Sequence, residues 1–148
     1  MTVTDDQAAT LRAQLAGRVD EHRRLTKQLD PEQAKLGYAA LVAAAFIVAV
    51  ERRFMKDGRI SDDAEVIDFV ASARERSDDS ADIIDPEIAE TMILHLLGRG
   101  SVAGINENTK FEHQIILLAA LVGQAQLNDS ELDTFMTEAR SLADQILA

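Results

Sequence analysis

The chain has 148 residues, 47% of them hydrophobic, and a formal net charge of −11, which fits one globular domain with a sizeable core. The absence of cysteine excludes disulfides, thiolate metal sites and a cysteine nucleophile. Between positions 57 and 90 acids outnumber bases twelve to three, so such a surface should repel phosphate and anionic lipid, and no nucleic-acid footprint is expected.

The start, Met1 to Asp6, is polar and acidic. It lacks a basic stretch followed by an apolar one, so no signal peptide is expected and the expected location is cytoplasmic. The first predicted helix covers 4–29. Leu11, Leu15, Val19, Leu25 and Leu29 recur at helical spacing. Arg18 and His22 interrupt this stripe, which suits a helix lying on the rest of the domain or pairing with a second copy. Asp30-Pro31-Glu32 opens a second helix, since aspartate caps free N–H groups and proline loses nothing at the first helical position. This helix is predicted over 31–56. From Tyr38 to Val50 it is apolar on every face, so it should be the buried central helix, and the run is too short to span a bilayer.

Asp57-Gly58 is read as the end of that helix, with glycine in the left-handed cap. Ser61 should cap the third helix, with Val66, Ile67, Phe69 and Val70 on its apolar side. Ser77 to Ser80 is a polar break. Asp85-Pro86-Glu87 opens a fourth helix that carries Ile88, Met92, Ile93, Leu96 and Leu97 and ends at Gly98. Residues 98–110 are irregular. A fifth helix follows over about 109–126. Asn128-Asp129-Ser130 caps a sixth, whose inner stripe is Leu132, Phe135, Met136, Ala139, Leu142 and Ile146. The fold class expected is all-α: one domain, 1–148, about six helices around the apolar helix 31–56, with 1–29 as an added N-terminal helix. Residues 46–74 and 115–140 each read as apolar helix, acidic turn and amphipathic helix, a candidate internal duplication.

The turn from Asp57 to Glu65 invites a calcium reading. With Gly58 as the central glycine of an EF-hand loop, Arg53, Met55 and Ala64 would fall on ligand positions, so the loop fails. His22, His95 and His113 show no paired metal spacing, and each reads as a core or rim histidine, although His95, His113 and Glu112 could meet between helices. No nucleophile elbow or phosphate loop is present. The acidic residues of 62–85 read as a solvated face.

A hydrophobic helix from Ala43 to Phe54, then Asp57-Gly58-Arg59-Ile60-Ser61, then Glu65, with a second unit at Leu127-Asn128-Asp129-Ser130-Glu131, resembles the TerB-like family of helical proteins. The resemblance covers about 31–147, with 84–97 in the place of the family's middle helix. It implies divalent metal gathered by acidic turns, and the residues that match are Asp57, Glu65, Asp129 and Glu131. The second unit lacks the Asp-Gly pair, and Arg59 within the first turn would oppose a cation. From the residues themselves the expected function is non-catalytic: a small interaction or regulatory module with a protein partner, no organic cofactor, and a possible homodimer contact through 4–29.

Overall fold

Thr4 begins the first helix. Its hydroxyl accepts the Gln7 N–H at 3.2 Å, and the Gln7 side chain accepts the Thr4 N–H at 2.8 Å. This reciprocal capping box satisfies two donors that the helix end would otherwise leave unpaired. Helix α1 (Asp5–Leu15) then stops where the sequence pattern continues. Gly17 takes φ +76°, and the N–H groups of Gly17 and Arg18 donate back to the carbonyls of Gln14 and Ala13. That Schellman ending favours glycine, which has no Cβ to strain the left-handed conformation. Helix α2 (Val19–Gln28) packs against α1, with His22 Nδ1 2.9 Å from the Thr10 carbonyl oxygen. The single helix expected over 4–29 is therefore two helices.

The computed structural model describes every residue except Ser77, and side chains other than those of residues 33, 34 and 77–79. The described residues fall into two compact units, 1–48 with 122–148, and 49–121. The chain is all-α as expected, 76% helical. It has eight α-helices and one π turn among the described residues, against six helices expected. The additional two come from the division of 4–29 and from a short helix after position 77. No helix among the described residues is long and apolar enough to cross a membrane.

In the first unit, α1 also packs on the last helix, α8 (Asp129–Leu147). Val3 fastens the two. Its side chain is buried, its N–H donates to Asp144 Oδ1 at 2.7 Å, and its carbonyl accepts from Arg140 at 2.8 Å. Asn128 caps α8 as expected, in a capping box with Glu131. Leu132, Phe135, Met136, Ala139 and Ala143 are its buried stripe. Ile146, expected inside, is 51% exposed: it continues the same face one turn beyond Ala143, in the last turn of the helix, where burial has ended.

The chain is helical from residue 31. It passes through a π turn (Gln33–Gly37) before α3 (Tyr38–Phe54). The turn meets α1, and Gly37 lies there so close to Gln7 that an added Cβ would stand 2.4 Å from the Gln7 amide nitrogen. Leu41, Val42, Ala44, Ala45, Phe46 and Val48 are buried in this unit. Ala49, Val50 and Phe54, further along the same helix, are buried in the other. The deep burial expected from the apolar run is found.

The second unit departs from expectation at once. The helix ends at Phe54 rather than near position 56, and Met55–Lys56 (β1) pairs antiparallel with Arg59–Ile60 (β2). Helix α4 (Asp63–Arg74) follows, capped by Asp62 rather than Ser61: Asp62 Oδ1 accepts the Glu65 N–H at 3.0 Å. Val66, Phe69, Val70 and Ala73 are buried along one arc of the helix, while Ile67, at about 100° from Val66, falls beyond the edge of that arc and is 49% exposed. Phe69 packs edge-on against Phe54, with ring centroids 5.7 Å apart. Of the polar break expected over 77–80, Ser77 lies outside the described residues and the remainder belongs to α5 (Asp78–Ile83). Arg74 donates to the carbonyls of Ala81 and Ile84 at the end of that helix. Helix α6 (Pro86–Leu96) starts from the Asp85 cap and ends in a Schellman turn at Gly98, both as read from sequence. Helix α7 (Glu107–Ala125) begins two residues earlier than expected.

Candidate functional site

The hairpin at 55–60 follows from two residues. A two-residue loop between paired strands favours a type I′ turn, which needs positive φ at both positions. Asp57 has φ +54° and Gly58 φ +76°. Aspartate tolerates that region better than most residues and glycine adopts it freely. Lys56 and Arg59 flank the loop as directly opposed partners, and Met55 opposes Ile60 one rung further. The Ser61 N–H donates to the Phe54 carbonyl at 2.8 Å and closes the next rung.

This register settles the backbone of β2. Antiparallel pairs alternate between those that exchange hydrogen bonds and those that do not. Lys56–Arg59 and Phe54–Ser61 are bonded pairs, so Met55–Ile60 is the non-bonded one. The N–H and C=O of Ile60 therefore point away from β1, and no described residue takes them up. The Ile60 side chain is itself 51% exposed.

Arg99 holds the exit of the hairpin. It stands just beyond the Schellman turn of α6, and its guanidinium donates to the Ser61 carbonyl and the Asp63 carboxylate. Between the hairpin, the end of α3 and the first turn of α4 lies an open cavity of about 600 Å³. Arg53, Lys56 and Arg59 line it together with Asp57, Asp62, Glu65 and the exposed Ile60. Arg53 lies over the Phe54 ring, 4.9 Å from its centroid. None of the three cations makes an ion pair among the described residues, whereas Arg12, Arg18, Arg99, Lys110 and Arg140 all do. Lys56 and Arg59 are thus like charges facing each other across a ladder, an arrangement that costs stability.

No protein-family model matches the chain, and no curated protein or solved structure matches it.

The four carboxylates expected to gather metal fall two in each compact unit. Asp57 and Glu65 line the hairpin cavity, alongside the three cations. Asp129 and Glu131 belong to the other unit. There the Glu131 carboxylate accepts the Asn128 N–H at 3.0 Å, and Asp129 lies 3.8 Å from Arg12. Among the described residues no three acidic or histidine side chains converge to hold a metal ion. The two turns of the candidate duplication also differ: the first is a hairpin, whereas the second passes directly through Gln126, at φ +51°, to the Asn128 cap.

The histidines are accounted for locally. His113 is buried, with Nδ1 2.8 Å from the Thr109 carbonyl and Nε2 3.1 Å from the Asp85 N–H. Nε2 must accept from that N–H, so Nδ1 carries the proton and donates to Thr109. Both ring nitrogens are occupied, which leaves no lone pair for the metal site considered with His95 and Glu112. His95 is exposed, with Nδ1 3.3 Å from the Gly100 carbonyl. The described carboxylates of 62–85 are exposed, as a solvated face requires.

Arg59 was noted in the sequence, but its grouping with Arg53 and Lys56 and the hairpin that opposes it to Lys56 were not, although signals for both were present. Asp-Gly is a strong marker of a two-residue hairpin. Four bases lie between Arg52 and Arg59 in a chain of net charge −11.

Proposed function

We propose that this chain is a small non-catalytic interaction module that meets a protein partner through the hairpin at 55–60. The observation that carries the reading is the opposed pair Lys56 and Arg59 in the lining of an open cavity, together with a half-exposed Ile60. Local rules are broken where function requires it, and a facing pair of like charges is such a break. A partner that supplied anions would relieve the repulsion, so binding and relief of strain would coincide.

A photoreactive residue at position 60, compared with one at the equally exposed position 146 of the other unit, tests the reading in extract from the source cells. A discrete adduct from position 60 that disappears with Arg59→Glu is expected. Equal labelling from both positions would remove the hairpin from consideration.

The TerB-like alternative, divalent metal at acidic turns, draws on Asp57 and Glu65 lining one cavity. Two carboxylates among three cations make a poor site for a hard dication, which takes six or more oxygen ligands, so the interaction reading is preferred.

A further inference from the structure

The interaction reading leaves the chemistry of the partner open, and the hairpin edge narrows it. We infer that the partner presents an acidic segment in extended conformation, which adds alongside β2 as a third strand. The inference rests on that reading and goes beyond it by naming the ligand class.

Two independent features point the same way. The first is the backbone. The outward N–H and C=O of Ile60 form one open rung, and an added strand fills such a rung with a donor and an acceptor at once. A free inorganic anion would satisfy only the donor. The second is charge. Arg53, Lys56 and Arg59 are matched in number by Asp57, Asp62 and Glu65 in the lining, and what is uneven is their placement. Two of those cations directly oppose each other across the ladder, where any bridging carboxylate meets both at once. The same pair keeps the edge from joining a second copy of itself, because two such hairpins would bring four cations together. The edge is thus closed to self-pairing and open to an acidic strand. With one open rung, affinity depends on the cations, so binding weakens steeply with added salt.

The test uses the full isotope-labelled chain and an acetylated, amidated pentapeptide with two glutamates on each side of a central valine. The expected result is saturable amide shifts centred on 55–61, with slowed hydrogen exchange at Ile60. Arg59→Glu should weaken binding at least tenfold while raising the thermal midpoint of the unbound chain. The rise separates loss of a binding cation from loss of the fold. Ile60→Pro, which removes the edge donor, should also abolish binding, and Arg59→Glu decides alone if that variant does not fold.

Several results would overturn the inference: no saturable shift at low-millimolar peptide, equal binding of the tetralysine counterpart, or the same shifts with inorganic phosphate at matched ionic strength. Binding that leaves the Ile60 amide unchanged would overturn the strand geometry. If the pentapeptide fails while the position-60 adduct is still formed and still lost in Arg59→Glu, the interaction reading stands and the acidic strand falls.

Discussion

Lys56 and Arg59 turn a local fault into a measurable quantity. Opposed like charges on a ladder cost about 0.2–1 kcal/mol, so Arg59→Glu should stabilise the unbound chain by that order. Urea unfolding with an unchanged slope would show it. Gly58 runs the other way: its φ of +76° is open to glycine at no cost, and an L side chain there costs about 1–2 kcal/mol. Nothing lies within 4 Å of a Cβ added at Gly58, so the loss from Gly58→Ala would come from the backbone alone. Tyr38, the only tyrosine, allows a third check. Burial pushes its hydroxyl up to about 12, from an ordinary value near 10. The folded chain therefore holds the proton more tightly than the unfolded one. That contribution is fully present below pH ~10 and is lost as pH rises from ~10 to ~12, at about 1.4 kcal/mol per unit at most. Tyrosinate absorbance should rise together with loss of helix, and Tyr38→Phe should flatten the alkaline limb of the stability curve. Asp57-Gly58 was visible in the sequence as a chain reversal. Its type was not, because the flanking strands are two residues each and offer no alternation to recognise.

At the scale of elements, the apolar run of 38–50 announced its burial. Phe46, 2% exposed, should cost roughly 3–5 kcal/mol when cut to alanine. A loss below about 1 kcal/mol, the range of surface changes, would contradict its placement in the core. The proline starts, the caps at Asp85 and Asn128 and the glycine end of α6 were legible because each is a property of a few adjacent residues. The break at Gly17 was missed for a related reason. An isolated glycine inside a helical pattern is tolerated, and only tertiary packing decides whether the chain turns there. Here Leu11 is buried and His22 bonds to Thr10, so α2 folds back on α1. Gly37 exposes a different dependence. Alanine is the better helix former, by about 1 kcal/mol. Its Cβ would nevertheless strike the buried Gln7 side chain, which holds the capping box of α1. Gly37→Ala should therefore destabilise by about 1–3 kcal/mol, and pairing it with Gln7→Ala should recover part of the loss in a double-mutant cycle.

At the scale of the whole molecule, the folding of α2 back on α1 bears on self-association. The dimer considered through 4–29 relied on one continuous stripe. With α2 turned against α1, Leu25 and Leu29 are half-buried within the same chain, and Val19 is left exposed at the beginning of α2. Sedimentation at tens of micromolar should give a monomer, and a concentration-dependent dimer abolished by Val19→Asp would reverse that view. Millimolar Ca²⁺ or Mn²⁺ should leave the thermal midpoint unmoved in the native chain and in Asp57→Asn alike, since a ligand well above its dissociation constant must stabilise the state it binds. The net charge was plain in the sequence, yet it concealed the site. The acids of 57–90 dominate any sum over that region, whereas what matters at the hairpin is which charges stand opposite each other, and only strand register specifies that.

The π turn before α3 gives the chain a sensitivity to length rather than to composition. Such a turn holds one residue more than the α pitch would, and each α residue advances about 100° around the axis. Leu36 lies within it, 60% exposed, so replacement by alanine should pass almost unnoticed. Deletion of Leu36 is another matter. The segment would rewind as uninterrupted α-helix, and everything before it would swing by about a quarter of a turn relative to α3. Gly37 would no longer face Gln7, and α1 would lose its seat beside the turn. A side chain that contributes little by its chemistry thus acts as a spacer that sets the angle at which α1 meets the entrance to α3.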